Sequence, residues 1–177
     1  PEFIEDICQR YMEFMKEMLR MVLAKGVEWD AIWFFSDMAY KNGPMFSPSD
    51  YIRFFLPCHR EISRFCKKQG KFLLLHSDGN MKELIPPVIE AGFDAIHPLE
   101  ARAGNDVRVY KKQFGEKMCL FGNISSDILA TGNRQAIEEE IRTKVLTAKQ
   151  GGGYIYHSDH TIPSTVSLES YIFAVEC

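Results

Sequence analysis

Five short apolar runs recur along the chain, and each stops abruptly on polar or imidazole side chains before a helical pattern begins. They are Ala31-Ile32-Trp33-Phe34-Phe35 before Ser36-Asp37, Phe72-Leu73-Leu74-Leu75 before His76-Ser77-Asp78, residues 93–96 before His97-Pro98-Leu99-Glu100, residues 118–121 before Gly122-Asn123, and residues 154–156 before His157-Ser158-Asp159-His160. Runs of this length, bounded by turn residues, read as strands. Strands alternating with helices make parallel βα units, whose sheet is covered by the intervening helices. The chain is therefore expected to be α/β with a parallel sheet of five strands. In such folds chemistry collects at the carboxyl ends of the strands, where the His-Ser-Asp triplets at 76–78 and 157–159 stand.

The helical segments carry their own punctuation. Phe3, Ile7, Tyr11, Met15, Met18 and Val22 recur at three- and four-residue steps, giving a first amphipathic helix that Gly26 closes. Ser47 is a natural N-cap with Pro48 at the first helical position and Asp50 in the first turn, where a carboxylate suits the dipole. That helix is expected to run to about Gln69, with His59 on its surface. Further helices are expected around Met81 to Ala91, from Asp106, and from the cap Asn133 to about Lys149. Gly151-Gly152-Gly153 precedes a strand, whereas a phosphate-cradling loop follows one and opens a helix, so it is read as a turn. No linker or repeat interrupts the pattern, and 1–177 is taken as a single domain.

Composition excludes several function classes. With 46% hydrophobic and 25% charged residues the chain can bury a core. A formal net charge of -3 without a basic stripe argues against a nucleic-acid partner. Five scattered cysteines without a C-x-x-C pair fit reduced thiols in a cytoplasmic protein, and no apolar run is long enough to span a bilayer.

Asn42-Gly43-Pro44-Met45-Phe46-Ser47-Pro48, Leu56-Pro57, Leu75-His76-Ser77-Asp78-Gly79-Asn80, Glu90-Ala91-Gly92-Phe93-Asp94-Ala95 and Gly151-Gly152-Gly153-Tyr154-Ile155 occur in that order. Together they resemble the uroporphyrinogen decarboxylase superfamily across essentially the whole chain. The H-x-[CD]-G-N stretch is more similar to its corrinoid-linked methyltransferase branch than to the haem-pathway decarboxylases. The resemblance implies a TIM-type (β/α)8 barrel, a fold of about 250 residues. Five strands would then be its later part, with the N-terminal portion missing.

The resemblance also implies a site. Methyltransferases of the superfamily hold zinc with His-x-Cys after one strand and a further Cys after the last. Here His76 occupies the His position, Asp78 replaces the first Cys, and the last loop offers His157, Asp159 and His160. Imidazole and carboxylate are competent zinc ligands. The expected metal set is therefore His76, Asp78 or Asp159, and His160 or His157. His160 also matches a functional His of the decarboxylases that stands before a proline, here Pro163. Asp37 and His160 are the expected catalytic residues, and Glu100 and Asn123 the expected substrate contacts. A plainer reading stands beside this one, in which His76 and Asp78 form a hydrogen-bonded pair capping the next helix, and His97 is a satisfied core histidine.

Three function classes follow. The first is a metal-assisted methyltransferase acting on a small O- or S-methyl compound with a corrinoid carried by a partner protein. The second is a cofactor-free tetrapyrrole decarboxylase of porphyrin biosynthesis, and the third is a non-catalytic half-barrel. A five-strand segment with two open edges is also expected to self-associate.

Overall fold

The computed structural model describes all residues 1–177. Helix α1 (Glu2–Ala24) leads to β1 (Ala31–Phe35), and a small antiparallel hairpin, β2 (Ala39–Tyr40) and β3 (Gly43–Pro44), follows. Ser47 then caps α2 (Pro48–Asp50) by accepting a hydrogen bond from the Asp50 amide at 3.1 Å. The helix passes through a π-helical turn, Tyr51–Phe55, into α3 (Leu56–Lys68). Pro57 supplies the cause of that turn: it has no N–H to donate and its ring collides with the carbonyl four residues back, and a wider turn relieves both. The remaining units are β4 (Phe72–His76), α4 (Ile85–Ala91), β5 (Ala95–His97), α5 (Val107–Phe114), β6 (Cys119–Phe121), α6 (Ser126–Ala130), α7 (Arg134–Ala148), β7 (Tyr154–Ile155) and α8 (Leu168–Glu176).

The five strands form one parallel sheet in the chain order β1-β4-β5-β6-β7. This is the arrangement of a (β/α)-barrel segment, open at β1 and β7. Register brings Phe35 opposite His76 and His76 opposite His97, so the ends of neighbouring strands lie level. Period-two alternation divides the faces. Phe34, Leu73, Leu75, Ile96 and Leu120 point into the core beneath the helices, whereas Trp33, Phe35 and Phe72 lie on the uncovered face and remain exposed. A smaller cluster around Ile137 and Ile141 seats α6, α7 and α8. No helix is long and apolar enough to cross a membrane.

The expected elements are present, with differences. The hairpin, α6 and α8 are additional, and the helix expected from Met81 begins at Ile85. His59 is not a surface residue. It is buried, its Nδ1 lies 2.8 Å from the Tyr51 hydroxyl, and its ring packs against Phe34 and Phe93. The cause is a face argument: α3 lays one side on the sheet, and His59 falls on that side with Ile62 and Cys66.

Candidate metal centre

The chain leaves β4 through Ser77-Asp78-Gly79, and this turn is held from three directions. The Ser77 hydroxyl accepts from the Met38 amide at 3.0 Å, and Asp37 Oδ1 accepts from the Asp78 amide at 3.0 Å. From the other side Glu100 Oε2 accepts from the Gly79 amide at 2.9 Å. Asn105, fully engaged with the carbonyls of Gly79 and Glu100 and the Met81 amide, ties the turn to the loop after β5. Gly79 has φ +84° and a methyl there would overlap the Ala39 carbonyl, so only glycine lets the turn lie against the hairpin. Gly79→Ala is accordingly expected to lower stability by at least about 2 kcal/mol in urea titration, strain at positive φ adding to the overlap. A variant as stable as the parent would mean that the hairpin yields freely.

These constraints bring Asp37, His76 and Asp78 together. His76 Nε2 lies 3.6 Å from Asp37 Oδ1 and 3.9 Å from Asp78 Oδ2, and one ligand atom from each residue falls within 4.8 Å of the others. His160 reaches the group through Asp78, its Nε2 3.5 Å from Asp78 Oδ2. Phe35 stacks on the His76 ring at 3.9 Å. Behind His76, its Nδ1 and that of His97 are 2.8 Å apart. The rings of Trp33, Phe121 and His157 surround His97 with centroids 4.7, 4.8 and 4.9 Å away.

The electrostatics are those of a site short of positive charge. Burial pushes the His76 imidazole below its usual range, although Asp78 and Asp37 pull the other way. Burial likewise raises the Asp78 carboxyl, against the pull of His76 and His160. His76 Nε2 and Asp78 Oδ1 are both buried without a hydrogen-bond partner. Such orphans are rare in a well-packed protein and call for an explanation. The spacing fits one, because two ligand atoms on a tetrahedral zinc with bonds of about 2.0–2.1 Å stand about 3.4 Å apart.

The other expected site residues are placed differently. Asp159 is not in the ligand group: it is buried, with Oδ1 accepting from the Ser126 amide at 2.9 Å and Oδ2 from the Ala101 amide at 3.1 Å. It pins two neighbouring loops. His157 turns toward His97 and Phe121, with its Nδ1 2.8 Å from the Ser158 carbonyl. Asn123 is fully buried and saturated, accepting from the Val107 amide and donating to the Leu99 and Asn105 carbonyls, which leaves nothing for a substrate. Glu100 spends its carboxylate on Gly79 and Arg102; burial works to raise its pKa, but the hydrogen bonds from Arg102 and Gly79, together with the charges of Arg102 and His160, hold it low. Asp37, expected as a catalytic residue, stands in the candidate cluster with His76 and Asp78. Asn105 and His97 are the residues that the sequence left unassigned to the site.

The family model for uroporphyrinogen decarboxylase (URO-D) matches residues 1–177. The chain belongs to that family. No curated protein matches it. The URO-D family is one of enzymes, and the parallel βα sheet and the rim location of the cluster agree with a barrel of this family.

Proposed function

We propose that this chain is the later part of a URO-D-family barrel in which Asp37, His76 and Asp78, with His160 beside them, hold a divalent ion for methyl transfer to or from a small O- or S-compound, a corrinoid on a partner protein carrying the methyl group. The observation that carries the reading is His76 Nε2, buried, unpartnered and facing two carboxylates. Nitrogen and oxygen donors of this kind suit zinc, which would supply Lewis acidity at the oxygen or sulfur of the methyl compound. Asp37 and Asp78 bring two carboxyl groups to the rim, and Phe35 stacks on the imidazole. His160, partly exposed on the last-strand loop and 3.5 Å from Asp78, would give or take a proton at the reacting oxygen or sulfur. Arg102, the arginine beside the cluster, is paired with Glu100. The cytoplasm is the compartment that suits the free cysteines.

Two assays test this together. Protein from zinc-supplemented expression should carry close to one ion per chain by mass spectrometry of the metals, and should demethylate methylcobalamin in the presence of a thiol acceptor, read in the visible spectrum. Metal-free protein that decarboxylates uroporphyrinogen would refute it.

Self-association of the chain is proposed through α1. Ile4, Ile7, Tyr11, Phe14, Met18 and Met21 follow at alternating steps of three and four, and all are exposed. This is a coiled-coil seam. Paired antiparallel with a second copy, Ile4 meets Met21, Ile7 meets Met18 and Tyr11 meets Phe14, while Arg10 comes beside the partner's Glu17. The acidic first turn, with Glu2 and Glu5, then faces the end carrying Arg20 and Lys25. Sedimentation velocity at tens of micromolar should show a dimer that Phe14→Glu converts to monomer; a monomeric parent would refute the pairing.

A further inference from the structure

Met12 is the only buried residue of α1, because that helix rests on α3 and on the π turn rather than on β1. Between α1, the end of β1 and the start of α3 lies a slot of about 210 Å³, open to solvent on one side. Met12, Phe34 and His59 are its buried walls, whereas Ile7, Tyr11 and Phe35 stand at the mouth, each about half exposed or more. Phe55, the last residue of the π turn, lines it as well. Turns of this kind frequently accompany functional sites.

Size and chemistry both restrict what the slot can take. An apolar cavity of about 150 Å³ holds a benzene, whereas pockets for drug-sized ligands start at about 300 Å³. The slot therefore suits one ring with a small substituent and is far too small for a macrocycle. Five of its ten lining residues carry rings, namely Tyr11, Phe34, Phe35, Phe55 and His59. Rings offer edge and face contacts to a guest ring, and the Met12 thioether adds a sulfur–arene contact. No carboxylate, ammonium or guanidinium lines the slot, and His59 Nδ1 is engaged with the Tyr51 hydroxyl. A charged guest would lie there unpaired, which is costly. A hydroxyl on the guest finds the hydroxyls of Tyr11 and Ser36, the slot's polar groups beside the thiols of Cys8 and Cys58.

We propose that this slot binds a small neutral molecule with one aromatic ring and one hydroxyl, a phenol in chemical class, its ring against Met12 and Phe34 and its hydroxyl toward Tyr11 and Ser36. The site is distinct from the candidate metal centre and does not rest on that reading. Phe35 lies between the two: it lines the slot and stacks on the His76 ring at 3.9 Å. Ser36 precedes Asp37 in the chain, and its amide donates to the His76 carbonyl at 2.9 Å. A guest in the slot is thus one side chain away from the cluster. Ile7 and Tyr11 also belong to the seam proposed for α1, so a second copy lying along α1 is the competing occupant.

The test follows the Met12 methyl resonance in methionine-methyl-labelled, chelator-treated protein as phenol is added, the signal being identified by its loss in Met12→Leu. The ring current of the guest should move that methyl, with a dissociation constant of about 1 mM or tighter. In competition with phenol, benzoate should bind at least about tenfold more weakly for its charge, and cyclohexanol about threefold or more for its missing aromatic ring. Cys8→Phe, whose new ring would occupy the slot, should abolish the phenol shift. Phe35→Ala, at an exposed position, should weaken binding about fivefold and decides the matter if Cys8→Phe is too crowded to fold. Phe14→Glu, which breaks the α1 seam outside the slot, should bind phenol as the parent does. A Met12 methyl indifferent to phenol up to about 10 mM overturns the proposal. So does equal binding of benzoate or cyclohexanol, or parental phenol affinity in a folded Cys8→Phe or in Phe35→Ala. Binding gained only in Phe14→Glu would also overturn it and give the slot to the second copy.

Discussion

His76→Ala is expected to strip the protein of its divalent ion, lowering zinc affinity by at least about a hundredfold, more than the loss of a supporting partner costs. The imidazole is the only nitrogen donor of the three-residue cluster, and the most deeply buried of the three. Removing it leaves Asp37, nearly half exposed, and Asp78, whose charge burial already disfavours. Two carboxylates make a poor zinc site, and the cavity left at the rim opens them to water, which screens their attraction for a cation. Asp37→Asn should do less, because an amide oxygen still accepts from the Asp78 amide and holds the turn in place. Metal content after gel filtration, with zinc competition on both variants, reads the ranking. Parental metal content in His76→Ala would place the ion elsewhere and return His76 and Asp78 to the role of a capping pair.

The sequence made the parallel βα order legible because it is written in local terms. Ser47, Asp106 and Asn133 each cap the helix they precede by accepting an amide hydrogen bond two or three residues on, and such a signal needs no tertiary structure to act. Rim membership was legible for the same reason, since a residue that ends an apolar run ends a strand. Membership in the cluster was not. Asp78 and Asp159 occupy equivalent places in two His-Ser-Asp triplets, yet one turns to His76 while the other is captured by the amides of Ala101 and Ser126. Those amides come from loops 58 and 33 residues away, and no local pattern announces them. His97 was ambiguous for a related reason: its partner is the terminal residue of the adjacent strand, and only register places the two rings side by side. The one local signal passed over was Pro57 inside a helical pattern. It forces the π turn that precedes α3, the helix whose buried face carries His59.

That histidine gives a large pH effect on the stability of the fold. Burial drops the His59 pKa from 6.5 to about 4, and the ring is held between Phe34, Phe93 and the Tyr51 hydroxyl with no carboxylate to compensate a charge. In the unfolded chain the same imidazole titrates near 6.5. Above that pH both states are neutral and His59 contributes its packing in full. Between 6.5 and about 4 the unfolded state binds the proton and the native state does not, so stability falls with falling pH, levelling off once the native ring is protonated too. The difference amounts to about 3 kcal/mol, a large part of the stability of a domain this size. His97, lowered to about 3 chiefly by burial, acts in the same direction and carries the loss further into acid. Urea titrations of chelator-treated protein at pH 7.5 and pH 4.5 should show this drop. His59→Gln, which retains a polar partner for Tyr51 but cannot titrate, should flatten much of it while lowering stability at pH 7.5 through poorer packing. A parent whose urea midpoint is unchanged between the two pH values would show that His59 gains solvent or a counter-charge on protonation, against its enclosure between the aromatic rings of the core.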